Sequence, residues 1–482
     1  MTQKDNGNND SLFKFEFKET NLNFFLNVIL AALATGLAWR MRGESGFGGM
    51  NGMLIPGMVL TLIVFFIWGE EKNISPTIIG FMVLLMAVTA NGWGTINGQI
   101  TGVLRSIERL EPNYVAGYDI RINPLSGIFA MFLVGFGWVP LWAILIGILF
   151  SKPEYDFKGF IKIAIFYVLF RYVGEFFLCH LIIPFIAPNA FELFVDGLVT
   201  EGYDMIPWHA YLAHFKDQIW YEGIAGGRNY AAMVSNLASC LGAIGAWLYM
   251  KYGIKDKVAS SLMMKINLIF GFAITVSDIF LFINFGGLWR ESIPNPPEWL
   301  PGWSLWEYST GFIAGGLTIA MLLSHSRKNH NRKNGKDIEL QQRINLDNNL
   351  FDMKHKDLFT FLLIFAGLFA YGFCGGMASR LEKIYSNPYL PYIPYTLIAV
   401  GFVFYVLVFI GKIKFPPLPK NLNCLFGILV NVVVWGLIYL FVNHYIPVFD
   451  WLGSMRIIMF VSLLVSIIII LVIFKLNFER AR

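Results

Sequence analysis

Charge is what this sequence has least of: Asp, Glu, Lys and Arg make up 14% of its 482 residues, against 56% apolar residues and a mean hydropathy of +0.58. Such a balance excludes a soluble enzyme, a nucleic-acid-binding domain, a coiled coil and a secreted disulfide scaffold, and it implies a membrane protein. Cysteine is scarce too. Cys179, Cys240, Cys374 and Cys424 all fall in apolar segments, so they read as small packing residues. The first 21 residues lack the short basic region of a signal peptide, and although Ala32-Leu33-Ala34 resembles a cleavage site, the first apolar run is expected to stay as an uncleaved anchor.

Motifs for cofactor chemistry are missing as well. GFGGMNG (46–52) is followed by no Lys-Ser/Thr of a phosphate loop and lacks the strand context of a dinucleotide fold. His209 and His214 would point about 140° apart on a helix, a poor arrangement for one ion. The segment around them reads instead as interfacial, with Trp208, Tyr211, Trp220 and Tyr221 at headgroup depth. No Ser/His/Asp order or Cys/His pair specifies a nucleophile. The sequence therefore points to no metal and no cofactor, and leaves open whether the chain is an enzyme.

What the chain has in abundance is long apolar runs. A spanning helix needs about 20 such residues. Twelve candidate spans lie near 22–39, 50–68, 75–92, 126–150, 160–187, 229–250, 262–285, 304–324, 358–376, 391–411, 424–442 and 455–474. The third, ending in Asn91 and glycines, is short enough to be re-entrant, which would leave eleven. The expected class is an all-α polytopic integral membrane protein with 11 to 12 transmembrane helices.

Alternate loops differ in Lys and Arg. One side collects 25, including eight between Arg327 and Lys356, and the other 11; Arg171, inside a span, completes the 37. The richer side is cytoplasmic by the positive-inside rule, so both termini are expected there. This gives a cytoplasmic tail (1–21), an eight-span unit (22–324), a basic flexible cytoplasmic linker (325–357), a four-span unit (358–475) and a short cytoplasmic tail (476–482). The linker reads as a solvated topology determinant rather than a headgroup-binding segment. The expected location is a bacterial inner membrane, with the lipid bilayer as the main partner and no nucleic acid.

The unusual residues gather outside the cytoplasm, where the loops 93–125 and 188–228 are long. AWRMRGESGFGGMNG (38–52) holds Arg40, Arg42, Glu44, Gly48 and Gly49; Arg228, Glu307 and Arg380 stand in similar glycine- and aromatic-rich surroundings. Gly46 to Gly52, Gly223 to Gly227, Gly311 to Gly316 and, more weakly, Gly127 are read as starts of inward-running helices. Free N–H groups there, with Arg40, Arg42 and Arg228 nearby, suggest an anion vestibule. For Gly311 and Gly315 the favoured reading is instead a GxxxG packing pair, whereas the 43–52 run is too dense for one contact. Arg42 with Glu44 has the form of a local ion pair closing the loop, or of an Arg fork for an anion. The weak likeness of 22–68 to 358–411, where Arg380 and Glu382 repeat the pattern, suggests an internal repeat.

Within the bilayer, Arg171 and Glu175 share a helix face at i, i+4 and can pair, whereas Asp278 has no charged neighbour three or four residues away on its own helix. Three functions compete. A permease for a small anionic solute accounts for the intramembrane charges. An integral-membrane transferase or hydrolase would use outer loops as a cleft for a lipid-linked or cell-envelope substrate, with Glu44, His209, Glu222 or Glu307 as base. A non-catalytic subunit of a membrane complex would need little buried charge. The deep charges favour the permease; its solute and oligomeric state are not legible.

Overall fold

A computed structural model of the chain describes residues 21–43, 50–68, 82, 85–86, 124–151, 155, 157–175, 181–182, 185, 227–278, 280, 302–333, 389, 396, 403, 465–466, 468–473 and 476. Helix accounts for 93% of what is described, and no strand occurs among these residues. The elements are α1 (Asn21–Gly43), α2 (Met50–Trp68), α3 (Pro124–Phe136), α4 (Pro140–Leu149), α5 (Phe157–Val173), α6 (Gly227–Leu248) with a π-helical extension Tyr249–Gly253, α7 (Lys257–Ser277) and α8 (Gly302–Lys333). Two stretches are long and apolar enough to cross a membrane, Asn21–Arg40 and Lys257–Ser277; Pro56–Trp68 and Pro140–Leu149 are shorter apolar helices.

The outward faces are apolar and the interior holds polar groups. α1 exposes Leu22, Phe25, Ile29 and Leu33 and buries Asn27, Thr35 and Arg40; α7 exposes Leu268 and Phe272 and buries Asn267. Water selects the opposite arrangement, so this pattern suits helices surrounded by lipid.

Packing depends on close backbone approach. α1 lies along α8 and runs antiparallel to it, with Arg327 over the Phe24 ring at one end and Arg40 beside Glu307 at the other. A side chain at Gly311 would strike the Thr35 carbonyl, and one at Gly315 the Thr35 side chain. These glycines stand well inside α8, which starts at Gly302, so their amides lie past the first turn; of the two readings it is the favoured one, close packing against α1, that the structure shows, and not a helix start with free N–H groups. α5 packs on α6, where a Cβ on Gly242 would lie 2.8 Å from the Tyr167 carbonyl and where the Phe166 and Tyr249 rings stack at 4.1 Å. α7 lies against both α3 and α4 and touches α8. Near the other end of the chain, Ser466 donates to the Ala34 carbonyl of α1 at 3.4 Å, and Ile469, Ile470 and Ile473 join the same core.

Two other expectations change. The single span at 126–150 is two helices, interrupted at Gly137–Val139. Pro140 causes the interruption, since its nitrogen has no hydrogen to continue α3 and its fixed φ suits the first position of a new helix. Helix also continues from 324 to Lys333, into the stretch expected to be linker, because no Gly or Pro occurs there before Gly335.

Candidate functional site

The break between α3 and α4 is the point where buried polar groups meet. The Gly137 amide donates to the Leu133 carbonyl at 2.9 Å and the Trp138 amide to the Gly135 carbonyl at 3.2 Å, closing α3. On the α6 side, Ser239 Oγ donates to the Gly137 carbonyl at 2.6 Å and Cys240 Sγ to the Leu133 carbonyl at 3.3 Å. Tyr167 Oη is 3.0 Å from Ser239 Oγ, and Arg171 Nη1 donates to Tyr167 Oη at 3.3 Å. The Ser239 proton is committed to Gly137, so Ser239 accepts from Tyr167, which in turn accepts from Arg171. The result is a directed chain, Arg171 to Tyr167 to Ser239 to the Gly137 carbonyl, in which each bond polarises the next.

Arg171 thus spends a hydrogen bond on Tyr167. Its guanidinium still acts electrostatically on Glu175, but Gly174 and Glu175 lie in a π-helical turn beyond the end of α5. That turn shifts Glu175 from the plain i, i+4 position assumed from sequence.

On the α7 side, Asn267 is completely buried, and neither of its amide atoms has a hydrogen-bond partner among the described residues. α7 runs antiparallel to α3 and α4: Gly135 abuts the Phe270 carbonyl, and a Cβ on Gly147 would lie 2.5 Å from the Ala259 carbonyl. This register sets Asn267, one turn before Phe270, level with the break. Trp39 of α1 completes the surroundings, stacked on Trp138 with centroids 5.7 Å apart and 5.7 Å from the Phe270 ring. It too is fully buried, and its indole Nε1 has no partner among the described residues.

Of the residues expected at an outer vestibule, Arg40 and Glu307 come together. Arg40 Nη1 and Glu307 Oε2 are 3.3 Å apart, with side chains only 6% and 8% exposed. The pair ties α1 to α8 instead of standing open to a cleft. Arg42 lies in α1 and Arg228 in the first turn of α6, with side chains outside the described residues; Glu44, Gly48, Gly49 and Arg380 lie outside them entirely. Asp278 follows the last residue of α7, 3% exposed, with Oδ1 lacking a partner among the described residues.

Sequence reasoning missed Asp256. Its Oδ1 accepts from the Val258 amide at 3.0 Å and the Ala259 amide at 2.9 Å, capping α7, while its Oδ2 accepts from Tyr155 Oη at 2.7 Å and from Ser151 Oγ. Lys255 before it takes a left-handed φ of 65°, a conformation costly for a residue with a Cβ and held by this network. Burial, and then the hydrogen bond to Asp256, push the Tyr155 phenol well above its ordinary pKa. An Asp directly before a helical run was the available signal.

No group of three His, Cys, Asp or Glu among the described residues is placed to hold a metal ion. His209 and His214 lie outside the described residues. Compared with known families, curated proteins and solved structures, the chain matches none.

Proposed function

We propose that this chain is a multi-pass permease for a small anionic solute, with about twelve spans and both termini in the cytoplasm. The observation that carries the reading is the interrupted helix α3/α4 inside the bundle, met by the chain from Arg171 on one side and by Asn267 on the other. Interrupted helices leave main-chain dipoles at mid-depth, where a solute stripped of water needs partners, and they are a recurrent feature of transporters. The outer-face enzyme has less support, since Glu307, one of its candidate bases, is ion-paired with Arg40 and buried.

The test is reconstitution in liposomes loaded with potassium gluconate and shrunk in hyperosmotic potassium chloride or nitrate with valinomycin present. Recovery of volume faster than in protein-free liposomes is the expected result. Equal rates for every salt would remove the anion-permease reading. Sidedness is checked separately with single cysteines: one within 334–357 should resist an impermeant thiol reagent in intact cells, and one at 205 or 295 should label.

A further inference from the structure

We propose that the break between α3 and α4 is itself the binding site, and that it takes a small monovalent anion held by the first-turn amides of α4, the Asn267 amide and the Trp39 indole. The site deepens the permease reading and rests on it for its purpose, although its binding test does not.

Three observations converge. α4 begins at Pro140 with no side chain capping it, so its first-turn N–H groups and the positive end of its dipole face the break. Asn267 stands level with that start, wholly buried, with its amide unsatisfied among the described residues. Trp39, stacked on Trp138 of the break, adds a second buried N–H without a partner among them. A buried amide nitrogen or indole N–H left without an acceptor is costly, and an anion at this level of the bundle would supply one.

The carbonyls give the sign of the ligand. A cation at a helix break is held by exposed C=O groups. Here the carbonyls of Leu133, Gly135, Gly137 and Val139 already accept hydrogen bonds, from Gly137 and Cys240, from Trp138, from Ser239 and from Ala143 respectively. With these four carbonyls engaged, the uncapped first-turn amides of α4 are the main-chain groups that favour an anion. Size and valence follow: backbones touch one turn away at Gly135 and Phe270, and none of the three donor groups carries a formal charge. Sulfate or phosphate would be left with charge uncompensated, whereas chloride, bromide or nitrate is desolvated at lower cost.

The experiment uses the purified full-length chain in detergent. Its thermal midpoint is followed against rising sodium nitrate or bromide, with sodium gluconate and sulfate holding ionic strength constant. The expected result is a saturable rise with nitrate and bromide only. Asn267→Asp, which sets a carboxylate against the anion, and Trp39→Phe, which keeps the ring and removes the N–H, should each weaken the apparent dissociation constant by at least about tenfold. The Trp39→Phe variant decides the matter if Asn267→Asp does not fold. Equal titrations for wild type and Trp39→Phe would overturn the site, as would a wild-type midpoint indifferent to nitrate. The two readings fail separately. Saturable binding without flux in liposomes removes the permease and keeps the site; flux whose anion dependence is unchanged in both variants removes the site and keeps the permease.

Discussion

Helix α7 begins and ends on a buried aspartate, and the two are treated in opposite ways. Asp256 at the start accepts from two amides and two hydroxyls; Asp278 at the end has an oxygen with no partner among the described residues. Both are within a few percent of full burial, so burial alone does not tell structure from function. The partners do. A carboxylate surrounded by donors fixes a helix start and a loop crossing, whereas one with an unsatisfied oxygen has no such structural account.

Four substitutions sharpen or break this contrast. The largest loss is expected from Asp256→Ala, which strands four donors and uncaps α7; unfolding in mixed micelles should show about 3 to 5 kcal/mol. Next is Arg40→Met, which leaves Glu307 buried without its cation and should cost about 3 kcal/mol, with most of it recovered on adding Glu307→Leu. If the double variant stays as unstable as the single one, the pair is more than a bridge between α1 and α8. Tyr155→Phe should cost about 1 kcal/mol at neutral pH. The folded chain holds the Tyr155 proton more tightly than the unfolded chain, so this stability is fully present below the ordinary tyrosine pKa of about 10 and fades as pH rises past it. Wild type and Tyr155→Phe should therefore converge at alkaline pH, and parallel curves would break the assignment. Asp278→Leu should change stability by less than about 1 kcal/mol while stopping anion flux. A loss comparable to that of Asp256→Ala would place Asp278 with the structural carboxylates.

Sequence periodicity located helices well where apolar length was the only thing that mattered. α2 begins and ends where the run from Met50 to Trp68 does, and α1 and α6 start within two residues of expectation. It failed at α3/α4, where the apolar run is continuous and outweighed the Gly-Trp-Val-Pro punctuation at 137–140. The site was less legible than the fold, for a physical reason. Ser239 and Tyr167 are uncharged residues on separate apolar helices that only packing brings together, and Asn267 is an uncharged residue whose burial only packing reveals. Arg40 and Glu307 were each singled out, but a contact between residues 267 positions apart leaves no trace in local spacing. Asp256 was overlooked because a charge in a loop looks solvated until its neighbours are known.

That separation of 267 residues has a consequence for biogenesis. α1 leaves the ribosome well before α8, yet its buried face, with Thr35, Trp39 and Arg40, is made to fit α8. At about 5 to 20 residues per second, roughly 13 to 53 s pass between synthesis of Arg40 and synthesis of Glu307. Throughout that interval the Arg40 guanidinium lacks the Glu307 carboxylate, and Thr35 lacks the glycine face of α8 that packs on it. Until α8 is made, contacts with α2 and the helices that follow are what α1 has to pack on. A chain that stops before Gly302 leaves this face of α1 without the helix it is shaped for.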